Sequence, residues 1–122
     1  MTIQKQRIRM IVAIASTGNT STAKLDPRFG RCAFFALYNT AEGSLQFYPN
    51  PNRDAEDWAG RESVQWIRDR HANLVIAGEM GEKIKPMLDK HQVQIAILEN
   101  SELRIFEIVE MLQQNNKNDN SR

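Results

Sequence analysis

Ile8-Arg9-Met10-Ile11-Val12-Ala13-Ile14-Ala15 is the stretch that decides how this chain folds. Apart from Arg9 it is an unbroken apolar run, short and rich in β-branched side chains. That pattern predicts a central strand buried on both faces rather than a helix. Small polar residues follow, Ser16-Thr17-Gly18-Asn19-Thr20-Ser21-Thr22, and read as a loop. A second loop piece, Lys24-Leu25-Asp26-Pro27-Arg28-Phe29-Gly30-Arg31, precedes the next regular element.

Outward from this strand, Ala33 to Asn39 and Ser44 to Tyr48 predict a hairpin. Phe35 and Leu37 are spaced by two, as are Leu45 and Phe47, so each pair shares a sheet face. Pro49 has no amide donor and is expected to stop the ladder. From Asp57 to His71 the period turns helical, with Gly60, Val64, Ile67 and His71 on one face. Leu74 to Ala77 is a strand, followed by Gly78-Glu79-Met80-Gly81 and a helix to Lys90 that tolerates Pro86 only near its start. Val93 to Leu98 is the last strand. Ser101 to Gln113 is the last helix, with Asn100 or Ser101 as its cap and Ile105, Ile108, Val109 and Leu112 as its apolar stripe. The order β-β-β-α-β-α-β-α predicts a mixed five-stranded sheet in a three-layer α/β/α domain, its parallel strands joined by right-handed crossovers.

The chain has 122 residues, enough for one core and not two. Residues 8–112 carry the domain, 1–7 precede it, and 113–122 have no apolar side chain and are expected to form a disordered polar tail. A net charge of +1 gives no general reason to expect nucleic acid. The single cysteine, Cys32, cannot form an internal disulfide or supply a four-thiolate site, and suits a reducing compartment. No segment is apolar for the roughly 18 residues that a membrane span needs, and Met1 to Arg9 lacks a signal-peptide pattern. A cytoplasmic protein is expected.

Ligands of open α/β sheets bind beyond the carboxyl ends of the parallel strands. Three segments could reach that edge: the hydroxyl-rich loop with Ser16, Thr17 and Asn19, the stretch from Asp26 to Cys32, and Gly78 to Gly81. Lys24, Arg28 and Arg31 place three cations in eight residues, opposed by Asp26, and suit an anionic ligand. The plainer alternative is that the glycines make turns and the arginines face water. Cys32 also reads two ways. A lone cysteine is commonly a small buried hydrophobe, whereas the charge of Arg31 beside it would favour a thiolate. His71 and His91 lie near helix C-termini, where an imidazolium complements the dipole. No Gly-x-Ser-x-Gly elbow, Gly-Lys-Ser/Thr phosphate loop or His-Glu-x-x-His is present.

Leu25-Asp26-Pro27-Arg28-Phe29-Gly30-Arg31-Cys32, with Phe34-Phe35 after it, resembles the dinitrogenase iron–molybdenum cofactor biosynthesis family. The likeness continues through Asn50-Pro51-Asn52, Ala59-Gly60 and Leu74-Val75-Ile76-Ala77-Gly78-Glu79-Met80-Gly81, and spans about residues 8–112. It implies a ribonuclease H-like fold without ribonuclease activity; the strands at Ile8–Ala15 and Leu74–Ala77 hold no acidic residue to bind two catalytic metals. Known members of the family bind iron–sulfur cofactor precursors or the finished iron–molybdenum cofactor and carry or store them during nitrogenase assembly; others occur as small stand-alone proteins. In those that bind cofactor, the motif carries a histidine where this chain has Arg28.

The expectation is therefore a non-enzymatic carrier of a metallocluster, with nitrogenase or cofactor-assembly proteins as partners. Ser16, Thr17, Asn19, Asp26, Arg28, Phe29, Gly30, Arg31, Gly78, Glu79, Met80 and Gly81 would bind an iron–sulfur or iron–molybdenum cofactor precursor, and Cys32 would ligate its metal. The alternative is a small regulatory or scaffold domain that binds an anionic metabolite or a protein partner.

Overall fold

The computed structural model describes residues 9–120. Its elements follow the expected order: β1 (Ile11–Ser16), β2 (Phe34–Asn39), β3 (Ser44–Pro49), α1 (Ala59–Asp69), β4 (Leu74–Ala77), α2 (Ile84–Lys90), β5 (Gln94–Ile97) and α3 (Ile105–Asn120). The five strands form one sheet in the order β3-β2-β1-β4-β5. β3, β2 and β1 pair antiparallel, and β1, β4 and β5 pair parallel. The sheet is mixed as expected, and β1 is its central strand: Val12 through Ser16 are fully buried.

Two helices cover one face and one covers the other. Val64 and Ile67 of α1 and Leu88 of α2 pack with Ala13, Ala15, Phe35, Val75 and Ala77. Ile105, Ile108 and Val109 of α3 pack on Val12, Ile14, Ala36, Tyr38 and Ile76. Alternate residues of β1 thus feed opposite cores, which is why its sequence is apolar without a break. The two hairpin pairs follow the same rule: Phe35 and Leu37 face the α1–α2 layer, Leu45 and Phe47 the α3 layer.

Several boundaries differ from the sequence reading for local reasons. Pro49 is the last residue of β3, opposite Phe34; β3 is an edge strand, where a missing donor costs little. His71 is not on the α1 face. It lies beyond the helix at φ 62° and is exposed. α3 starts at Ile105, and neither Asn100 nor Ser101 caps it. Asn100 Oδ1 accepts from the Glu102 amide in a turn before the helix, while the Glu107 carboxylate accepts the Arg104 N–H at 2.9 Å. The next helical amides, of Ile105 and Phe106, donate to the carbonyls of Ala23 and Ser21. The final helix runs past Gln113 to Asn120, through most of the stretch read as a polar tail; residues 1–8 and 121–122 lie outside the described part.

Candidate functional site

β1 and β4 are adjacent and parallel, and the chain leaves their carboxyl ends in opposite directions, to β2 on one side and through α2 to β5 on the other. Such a divide is where α/β sheets open a crevice. Here the loop after β1 lies against the loop after β4: Arg28 and Glu79 form a parallel bridge, and the Glu79 amide donates to the Pro27 carbonyl at 2.6 Å. Contact this close requires Gly78, because a Cβ there would stand 2.7 Å from Pro27 Cα.

Asp26 shapes the first loop. The residue is 3% exposed, and its carboxylate accepts the Arg28 amide at 3.0 Å and the Ala33 amide at 3.3 Å. The Arg28 Nε lies 3.5 Å from the same carboxylate, and the Arg28 side chain is 56% exposed. Asp26 therefore organises the motif from inside and leaves the Arg28 guanidinium near the surface. On the far side, Asn50 and Ser63 both donate to the Gly30 carbonyl, at 3.1 and 3.0 Å. These bonds fasten the motif to the segment after β3 and to α1.

The result is a cavity of about 510 Å³ with three walls. Arg28, Phe29, Gly30 and Arg31 form the first; Glu79, Met80 and Gly81, with Lys83, Ile84 and Met87, form the second; Trp58, Ala59, Gly60 and Arg61 form the third. Four cationic side chains, Arg28, Arg31, Arg61 and Lys83, line it against one carboxylate, Glu79, and Phe29, Met80, Ile84 and Met87 make much of the rest of its lining apolar. Such a site favours a bulky anion that carries apolar or soft surface.

Seven of the residues chosen from sequence meet here: Arg28, Phe29, Gly30, Arg31, Glu79, Met80 and Gly81. The other six are used elsewhere. The Ser16 hydroxyl donates to the Gly18 carbonyl at 2.7 Å, and Thr17 exchanges bonds with the Lys24 backbone. That loop, with exposed Asn19, turns back so that its carbonyls can cap α3. Asp26 and Gly78 support the walls from behind. Lys24, also expected near the ligand, pairs with Glu102 at 2.8 Å. Arg31 lines the cavity, but its guanidinium donates to the carbonyls of Arg53, Ala55 and Glu56 and so anchors that segment.

Cys32 is fully buried, and it does not line the cavity. Desolvation, reinforced by the nearby Asp26 charge, pushes its thiol up to about 12 against weaker opposing hydrogen bonds from Asn50 and Ser16. The arginine expected to favour a thiolate has its charge directed at the 53–56 carbonyls instead. Cys32 is a protonated core thiol. His91 likewise gains no stabilised positive charge: slight desolvation and then the cations Arg68 and Lys90 lower its pKa. Among the described residues, no three His, Cys, Asp or Glu side chains converge to hold a metal ion.

Sequence reasoning passed over Trp58, Arg61, Lys83, Ile84 and Met87. Trp58 is the most conspicuous. It takes the N-cap position of α1 in a left-handed conformation, φ 65° and ψ 17°, with no side-chain cap, and it is 68% exposed. A bulky residue held there costs about 1–3 kcal/mol. The Arg61 guanidinium lies 5.6 Å from its ring centroid, an exposed contact that returns only about 0.5–1 kcal/mol. One sequence signal was available: in Asp57-Trp58-Ala59-Gly60 an indole stands where a small polar cap is usual.

The fold and cavity together define a small three-layer α/β domain with a cationic crevice at the divide of a mixed sheet. The model of the dinitrogenase iron-molybdenum cofactor family matches residues 10–115, and the chain belongs to that family. Its fold is shared with the apo form of the orange protein from Desulfovibrio gigas, at 19% identity over 93% of this chain and 92% of that one, with a TM-score of 0.79. A Thermotoga protein provisionally assigned as NifB is similar at 23% identity over 88% and 90%, with a TM-score of 0.72. A Methanocaldococcus jannaschii protein provisionally described as a dinitrogenase has 15% identity over 91% of each chain and a TM-score of 0.58. No curated protein is similar enough to count as a relative. Among the described residues no helix is long and apolar enough to cross a membrane. Membership connects the chain with iron–molybdenum cofactor biosynthesis and the handling of metalloclusters.

Proposed function

We propose that this protein is a non-enzymatic carrier that holds an anionic, sulfide-rich metallocluster in the cavity and passes it to a cofactor-assembly protein. The observation that carries this reading is the excess of cations other than the anchoring Arg31, namely Arg28, Arg61 and Lys83, over one carboxylate, Glu79, around a cavity bounded by the Asp26–Gly30 motif. Metal–sulfur clusters are bulky anions with polarisable surfaces. Arg28, Arg61 and Lys83 match their charge, and the thioethers of Met80 and Met87 match their softness. The donor set fits a cargo held by charge and hydrogen bonds to its sulfides rather than by a thiolate, and such a hold is reversible. Cys32 has no part in ligation in this account, and Arg28, in place of the family histidine, supplies charge instead of a metal bond.

Anaerobic gel filtration of the protein with iron–sulfur cofactor precursor or with tetrathiomolybdate, followed by metal and sulfide analysis, tests the reading. Metal co-eluting with the protein at a stoichiometry near one cluster per binding unit is expected. Elution of free protein alone, with stabilisation by nucleotides or phosphorylated metabolites instead, would replace the carrier with a metabolite-binding domain.

A further inference from the structure

The indole of Trp58 has no account in the fold. The backbone turn at position 58 is needed, because Ala59 is buried directly after it and Gly60 lies against the Gly30 backbone and Ile84. A glycine would make the same left-handed turn without strain. The side chain buries little, and its contact with Arg61 is exposed and near the outer limit of such interactions. Stability therefore favours a different residue, whereas the cavity uses this one: Trp58 and Arg61 together form its third wall. Strain retained in an over-determined backbone beside a binding crevice is a mark of function.

We propose that Trp58 is the specificity residue of the cavity, contacting the sulfide surface of the cargo with its indole N–H and ring edge while Arg61 occupies the ring face. This assignment rests on the metallocluster reading above and adds which group discriminates. An aromatic ring is negative on its faces and positive at its edge, and the indole nitrogen is a donor only. With a guanidinium over the face, the edge and N–H are the parts presented to an anion. A large polarisable sulfide reaches across them and gains from the contact. A compact oxyanion of equal charge is satisfied by Arg28 and Lys83 and gains little from the indole. The third wall thus separates thiometallates from oxyanions that charge alone would admit.

Equilibrium dialysis with molybdenum analysis, using tetrathiomolybdate and molybdate as paired dianionic probes, tests this on the parent, Trp58→Phe and Trp58→Gly. The parent should prefer the thiometallate. Trp58→Gly should lose about tenfold in tetrathiomolybdate affinity with molybdate binding unchanged and no fall in thermal midpoint. Trp58→Phe, which keeps a ring edge but not the N–H, should fall between them. Equal tetrathiomolybdate affinity in the parent and Trp58→Gly would overturn the role of Trp58 and leave the cavity reading intact. If the parent binds neither probe, the cavity reading fails and the assignment fails with it. A Trp58→Gly protein with a lowered midpoint and equal losses for both probes would make the indole structural, and would also overturn the proposal.

Discussion

Gly30 and Gly60 stand back to back: a Cβ on Gly30 would lie 2.8 Å from the Gly60 Cα and 2.9 Å from its nitrogen. This approach of the β1–β2 loop to the first turn of α1 joins the first and third walls of the cavity. It also ties the Asp26–Gly30 motif to a helix that begins about thirty residues later in the chain.

The two glycines should respond differently to alanine. Gly30→Ala drives a methyl group into backbone that cannot rotate away, and should cost about 1–3 kcal/mol. Gly60→Ala meets the far end of the Ile84 side chain, 2.6 Å from its Cδ1. That group can move, and alanine in a helix gains about 1 kcal/mol over glycine. Chemical denaturation should therefore find Gly60→Ala within about 1 kcal/mol of the parent and Gly30→Ala clearly below it. Equal losses would mean that the loop and helix do not meet as described.

Asp26→Asn should show that this carboxylate holds the motif together. The amide keeps one acceptor oxygen but loses the charge facing Arg28 and an acceptor for the Ala33 amide, at a cost of about 1–3 kcal/mol. The same change removes a charge that raises the Cys32 pKa, so the thiol should ionise at lower pH in the variant. Ultraviolet thiolate absorbance during an alkaline titration measures that shift, and an unchanged or upward shift would contradict it.

Cys32 should be inert in the folded protein. With its pKa pushed up to about 12 from 9.0, the native state keeps its proton where the unfolded chain releases it. This contribution to stability is complete below about pH 9, declines as the unfolded thiol ionises, and is lost as pH rises through about 12. At pH 8, iodoacetamide should label the native thiol more than about 100-fold more slowly than the denatured one. Comparable labelling rates would show an accessible thiolate and return Cys32 to the list of ligands.

The layer order and the central strand were legible in the sequence because they follow from local pattern. β1 feeds both cores, so it has no polar face, and the apolar spacing of α3 matches one buried side. The loop motif from Asp26 to Gly30 was legible too, as was the segment from Glu79 to Gly81. The third wall was not. Trp58 and Arg61 reach the cavity only because Gly60 packs on Gly30 and Ile84, a coincidence of segments distant in sequence that leaves no periodicity. The setting of Cys32 was hidden for a related reason. Adjacent Arg31 turns its charge toward carbonyls more than twenty residues away, and Asn50 closes over the thiol from the other end of the hairpin. The composition of the Ser16–Thr22 loop suits a ligand cradle and a helix cap equally well, and the structure sets Ser21, with Ala23 just after the loop, against the start of α3.

Affinity in two charge variants and one thiol variant distinguishes a cargo held by charge from one held by a thiolate. The parent, Arg28→Ala, Lys83→Ala and Cys32→Ala would each be titrated anaerobically with tetrathiomolybdate at low and high salt, with bound molybdenum measured after dialysis. Removal of either cation should weaken binding about tenfold at low salt and flatten its salt dependence, while Cys32→Ala binds as the parent does. Loss of binding in Cys32→Ala, with Arg28→Ala and Lys83→Ala unaffected, would contradict a carrier that holds its cluster by charge.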